Sequence, residues 1–172
     1  MPVLDQLRDL VRTHTCGELR PNDVDSEVVM MGWVHKVRDM GSLIFFDLRD
    51  REGITQVVAR DISSLLAKAK SLRSEFIVIV RGTVELRSSD TVNDKLDTGA
   101  VEVTAVEILL LNESKTPPFQ IANDSQVAED IRLRYRYLDL RRPRMLRNLR
   151  LRHRITLAIR NHLDSKGFWE IE

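Results

Sequence analysis

The chain has 172 residues and a formal net charge of +1, with 42% hydrophobic and 31% charged residues. That balance describes a globular protein of one domain plus part of another, and it excludes a disordered tail or a polycation that grips nucleic acid by bulk charge. No apolar run approaches the ~18–20 residues that span a bilayer, and the opening MPVLDQLRDL has acids where an export signal is basic and then apolar. No membrane partner and a cytoplasmic location are therefore expected. Cys16, the single cysteine, can form no internal disulfide and reads as a small buried apolar residue in a reducing compartment.

Charge is unevenly placed. Residues 126–172 carry 12 Lys and Arg against 6 Asp and Glu, whereas residues 1–125 carry 15 against 20. A nucleic-acid site in the first part must therefore work through a few placed side chains, because an acidic surface lacks the basic groove of a non-specific polyanion binder.

Residues 3–11 space Val3, Leu4, Leu7, Leu10 and Val11 at helical intervals, which predicts a short helix. A turn-rich stretch with Gly17 and Pro21 follows. Residues 28–38 (VVMMGWVHKVR) are rich in β-branched side chains and predict a strand. Gly41 and Ser42 make a tight turn into a second strand at 43–50, and the turn at 51–53 leads to a third at 54–60. Residues 61–73 change to helical spacing, with Asp61 or Ser63 as the cap. Residues 76–87 and 100–111 predict two more strands, separated by a polar loop with Asn93, Asp94 and Gly99. Three strands, a helix and two strands is the order of a mainly β, five-stranded OB-fold barrel with its helix between strands three and four.

Residues 113–125, with Pro117 and Pro118, read as a linker between the barrel domain at 1–112 and a second region at 126–172. There residues 126–138 look helical, and a long amphipathic helix runs from Pro143 to about residue 165, with Gly167 ending it. FWEIE at 168–172 begins a strand on which the sequence stops, so a piece of a longer protein is expected.

Strand alternation puts Ile44, Phe46 and Leu48 on one face of the second strand, a core face. Leu43, Phe45, Asp47 and Arg49 share the other. On an OB barrel the faces of strands two and three meet nucleic acid. Phe45 there can stack on a splayed base, or it can fill a barrel corner; spacing alone leaves both readings open. Gln56 on the third strand can pair with the edge of a flipped-out base, or be an ordinary surface amide. Lys36 and Arg38, on the side of Gly32, can hold phosphates or simply be a solvated strand end. Arg73 and Arg87 have weaker claims of the same kind. Arg49, Asn93 and Glu102 read as surface positions unless the barrel is a reader. The arginine-dense run 132–143 is either a solvated helix paired with Glu129, Asp130 and Asp139, or a contact to RNA or a second subunit. The four histidines have no metal-ligand spacing, and no phosphate-binding glycine loop or nucleophile elbow is present. No metal site and no catalytic residue are expected within this segment.

RTHTCGELR (12–20), GWVHKVRDMGSLIFFDLRDREG (32–53), SLRSEF (71–76), TGAVEV (98–103), SKTPPFQI (114–121) and LRYRYLDLRRP (133–143) together resemble the N-terminal part of bacterial-type aspartyl-tRNA synthetases, which are class II enzymes. The resemblance implies that Phe45 stacks on an anticodon base and that Gln56 bonds the central uridine. It places Lys36, Arg38, Arg73, Arg87, Asn93 and Glu102 around the anticodon loop. Met40 and Thr91 fall where selectivity for the aspartate tRNA over the asparagine tRNA is set, and lean towards the former. Glu85 departs from a pattern that is often basic. The region 126–172 would be the start of a class II α/β catalytic domain, with motif 1 building a homodimer. Motifs 2 and 3, with the groups for ATP, Mg²⁺ and aspartate, are absent. The segment alone is then expected to bind tRNA without charging it, and to need no cofactor of its own. A stand-alone RNA module and a protein-binding OB domain are the alternatives.

Overall fold

The computed structural model describes residues 4–7, 9–123 and 126–171, in two compact units, Met1–Pro117 and Pro118–Glu172. The first unit is a closed barrel of β1 (Glu27–Asp39), β2 (Ile44–Arg49), β3 (Ile54–Ala59), β4 (Ile77–Leu86) and β5 (Val101–Asn112), in the order β1-β2-β3-β5-β4. Only β3 and β5 pair in parallel. Helix α1 (Ser63–Ser71) lies between β3 and β4, as expected for an OB fold. Its N-cap position is Ile62, with no side-chain cap, rather than Asp61 or Ser63.

Alternation makes the core. Val28, Met30 and Val34 of β1, Ile44, Phe46 and Leu48 of β2, and Val57 and Ala59 of β3 point inwards with the matching residues of β4 and β5. Leu65, Ala69 and Leu72 of α1 pack into the same cluster. The first 13-residue strand serves two partners: Glu27 to Trp33 pair with β4, and Trp33 to Asp39 pair with β2. A bulge between Val34 and Lys36 lies in the second stretch. Strict alternation from Val34 would turn residues 36 and 38 inwards. The extra residue instead brings Val37 against the core and leaves Lys36 and Arg38 outside. They therefore do not share the side of buried Gly32.

The described residues of 4–11 form no helix; positions 3 and 8 of that stretch lie outside the described residues. The segment takes its bonds from strands instead. Asp5 N–H donates to the Leu110 carbonyl at 2.7 Å, and Asp5 Oδ2 accepts from Leu110 N–H at 2.7 Å. Lys68 Nζ reaches the same oxygen at 2.6 Å. Leu10 packs on the outer apolar cluster of Val29, Ile79 and Leu109. That cover is why β1 reads apolar on both faces.

The stretch after it is fastened to the β2–β3 turn. Asp50 Oδ2 accepts from Cys16 N–H at 2.9 Å, and Oδ1 accepts from Glu52 and Gly53 N–H at 2.7 and 3.1 Å. Thr55 Oγ1 donates to the Cys16 carbonyl at 2.8 Å. A Cβ on Gly17 would lie 2.4 Å from the Glu52 carbonyl oxygen, so only glycine permits the approach. Cys16 is fully buried, and burial followed by the Asp50 carboxylate pushes its thiol pKa upward, which leaves it inert.

In the second unit, α2 (Glu129–Arg134), α3 (Arg136–Asp139) and α4 (Pro143–Asp164) follow one another. Phe119 and Ile121, inside the expected linker, are buried against Leu138. Arg142 donates to the carbonyls of Ala122 and Asn123 at 2.9 and 3.0 Å, and also reaches fully buried Asp139, as does Arg136. The end of α4 is as expected: Gly167 takes φ +83°, and Phe168 N–H bonds the Leu163 carbonyl at 3.1 Å. Residues 168–171 are not a strand, and residue 172 lies outside the described residues. A strand needs a neighbour for its backbone bonds, and none pairs here among the described residues. None of the described helices is long and apolar enough to cross a membrane.

Asp50→Ala leaves three backbone donors without their acceptor and is expected to cost about 3 kcal/mol, read as a lower urea midpoint with unchanged slope.

Candidate nucleic-acid interface

Outward residues of β1, β2, β3 and β5 meet on one side of the barrel. Arg38 Nη2 donates to Asp47 Oδ1 at 2.8 Å and to Gln56 Oε1 at 2.9 Å, and Nη1 reaches Asp47 Oδ2 at 3.3 Å. Gln56 Nε2 donates to Glu102 Oε2 at 2.6 Å. Gln56 is 8% exposed, so it is not an ordinary surface amide. Arg38 can only donate and the Glu102 carboxylate can only accept, which fixes which end of the amide is which. One lone pair and one N–H are engaged. One of each remains for a ligand.

Phe45 lies beside this network, opposite Arg38 on β1 and opposite Val58 on β3. Its ring is half-buried, whereas Phe46 is fully buried in the core, so Phe45 does not fill the barrel interior. Val58 also points outwards yet is only 2% exposed, so the outer face is layered here rather than bare. The face thus offers a half-buried aromatic ring, a fixed amide and paired charges side by side.

The structure brings Arg38, Phe45, Gln56 and Glu102 together. Lys36 is exposed beside them, with no hydrogen bond or ion pair among the described residues. Arg73, Asn93 and Thr91 are tied elsewhere. Arg73 Nη1 donates to the Lys70 and Leu72 carbonyls at 2.8 and 2.7 Å and so closes the end of α1. Asn93 organises the β4–β5 loop: its N–H donates to the Gly99 carbonyl at 3.0 Å, and its Oδ1 accepts from Lys95 N–H at 3.2 Å. Arg87 buries its Nε with no hydrogen-bond partner among the described residues. Met40 is 66% exposed at the tip of the β1–β2 hairpin, and exposed Thr91 bonds Ser88. Asp47 joins the site through Arg38, and strand alternation already places it outward beside Phe45.

Arg49 is no surface residue. It is 7% exposed, with Nη2 on both oxygens of buried Glu75 at 2.7 and 2.8 Å. Its Nη1 donates to His35 Nδ1 at 2.9 Å, which requires that nitrogen to be unprotonated. Burial, and then the Arg49 charge, hold the His35 pKa below its ordinary value.

Comparisons with known proteins follow the same division of the chain. The family of OB-fold nucleic acid binding domains matches residues 28–111, and the family of class II tRNA synthetases (D, K and N) matches residues 128–172. An aspartate–tRNA(Asp/Asn) ligase of Moorella thermoacetica is 56% identical over 173 aligned residues, covering 100% of this chain and 29% of the relative. An aspartate–tRNA ligase of Geobacillus kaustophilus is 54% identical, covering 94% and 28%. The asparaginyl-tRNA synthetase of Pyrococcus horikoshii, solved with asparaginyl-adenylate, superposes with a TM-score of 0.79 at 26% identity, covering 95% of this chain and 36% of that one. The chain thus spans under a third of the length of the curated relatives described.

Since the folded state holds His35 neutral below its ordinary pKa of 6.5, its contribution to stability is full above that value and is lost as pH falls through it. Between about pH 7.5 and about pH 5.5 the urea midpoint should drop further for the unsubstituted chain than for His35→Gln. Equal drops would show that His35 does not carry the proton.

Proposed function

The chain belongs to the aspartate–tRNA ligase family, and we propose that its barrel reads the anticodon of an aspartate-accepting tRNA. The observation that carries this reading is the Gln56 amide fixed between Arg38 and Glu102 beside the half-buried ring of Phe45. A base stacked on Phe45 can present its Watson–Crick edge to the free lone pair and free N–H of Gln56. Uracil offers N3–H and a neighbouring carbonyl, the complement of that pair. Cytosine offers the reverse order of donor and acceptor. An unheld amide could turn over and accept either; a held one keeps a single order, and so favours uridine in one pose. On this reading Lys36, Arg73, Arg87 and Asn93 would be contacts around the anticodon loop, and Met40 and Thr91 would bear on the choice between aspartate and asparagine tRNAs.

The remainder of this proposal concerns the whole enzyme. It activates aspartate with ATP and Mg²⁺ and esterifies the tRNA 3′ end, in the cytoplasm, as a homodimer joined through residues 143–172. Among the described residues no three His, Cys, Asp or Glu side chains gather as a metal requires. The barrel domain (1–112) and linker (113–125) would position the RNA for a catalytic domain that begins at about residue 126.

Titration of the chain with an anticodon stem-loop tests the reading. Phe45→Ala should weaken binding by about 1–3 kcal/mol with the melting temperature little changed. Glu102→Ala should reduce the preference for a central uridine over cytidine by about 1 kcal/mol while Gln56 is intact, because the amide is no longer held. Undetectable binding at low salt, or equal binding of both stem-loops by the unsubstituted chain, would sink the proposal.

A further inference from the structure

Arg60 lies beyond the end of β3, two residues past Val58 and therefore on the same outer face. On that face Phe45 has Gln56 as its diagonal neighbour to one side and Arg60 to the other. Gln56 and Arg60 are about 13 Å apart by strand rise, a span that a nucleotide and the reach of an arginine side chain fill. The Watson–Crick edge of a base lies opposite its glycosidic bond. A base that stacks on Phe45 with that edge at Gln56 therefore sends its sugar and phosphate the other way, towards Arg60.

Arg60 is held ready there. Its Nη2 makes all of its short contacts: both oxygens of Glu85 at 2.8 and 2.7 Å, and Thr104 Oγ1 at 3.1 Å. Its Nε has only a 3.7 Å ion-pair approach to exposed Asp61, and Nη1 makes no hydrogen bond among the described residues. Arg60 and Glu85 are each 37% exposed, so the pair is neither buried structure nor freely solvated. Arg38 shows the same arrangement on the other flank of Phe45, with one carboxylate fixing the guanidinium while donors remain. A guanidinium fixed through one nitrogen keeps a planar fork for a phosphate.

We propose that Arg60, pinned by Glu85 and Thr104, is a backbone-phosphate contact for the nucleotide whose base stacks on Phe45. This rests on the anticodon-reading proposal and adds a contact that carries no base preference. Glu85 then acts through Arg60 as the residue that positions it and as a competitor for it.

The test is a binding cycle with the full chain and the anticodon stem-loop, native or with one neutral methylphosphonate linkage at each side of the central nucleotide in turn. Arg60→Gln should weaken native RNA about three- to ten-fold whatever the central base, and flatten the log affinity against log salt slope by about 0.7–1. At one methylphosphonate linkage the substitution should have no effect. Glu85→Gln, which leaves Arg60 in place, should bind about two- to five-fold more tightly. Equal weakening at every linkage, an unchanged slope, or a Glu85→Gln chain that binds no better would overturn the Arg60 contact while leaving the Phe45 and Gln56 reading standing. Failure of the unsubstituted chain to bind or to discriminate would overturn both.

Discussion

A largely buried amide held between a guanidinium and a carboxylate governs what this barrel face can discriminate. Gln56 alone is a two-faced group that fits several partners by turning over. Bonded to Arg38 at one end and Glu102 at the other, it presents one order of donor and acceptor. The side-chain entropy of that alignment is lost on folding rather than on binding, which is how a small and mostly polar site gains selectivity. Asp47 completes the chain of bonds by fixing Arg38.

Those side chains come from four strands, so their meeting depends on barrel closure and register. The bulge in β1 is the sharpest constraint. It turns Arg38 from the side that alternation assigns it to the side where Asp47 and Gln56 stand. Further along the same outward face of β2, Arg49 is shut in by Glu75 and His35. Asp50 then locks the β2–β3 turn to the segment around Cys16. The reading face on β2 and β3 is thereby anchored at the turn end of its hairpin.

The strands and α1 were legible because each carries its own periodicity and its own turn residues, and Gly167 marked the end of α4 for the same local reason. Residues 4–11 have an apolar spacing that suits a helix, but Asp5 bonds Leu110, 105 positions along the chain, which spacing cannot reveal. The strand expected after Gly167 failed likewise, for lack of a pairing partner. At the site, Phe45 and its outward face followed from alternation. The burial of Gln56 did not, because it arises from Glu102, 46 positions along the chain, and from a bulge in another strand. Arg49 was placed on the right face but given the wrong environment, since Glu75, 26 positions on, closes over it.

Net charge is a poor guide to the reading face because the charges there are committed to one another. In the barrel, Arg38, Arg49, Arg60 and Arg81 each sit on a carboxylate. The acidic excess counted from the sequence therefore does not make the reading face uniformly negative; it is a mosaic of paired charges with spare donors on the arginines. The basic excess after residue 126 is reduced in the same way. Arg136 and Arg142 converge on fully buried Asp139, and Arg142 also holds the backbone at Ala122 and Asn123, so the densest part of the RYLDLRRP run is internal bracing. That bracing explains why the SKTPPFQI and RYLDLRRP stretches go together: Phe119 and Ile121 supply the apolar side of a small core that Leu138 and the Asp139 cluster complete. A cation count predicts salt dependence only after such pairs are removed, and on the reading face what remains among the described residues is Lys36 and the free nitrogens of Arg38 and Arg60.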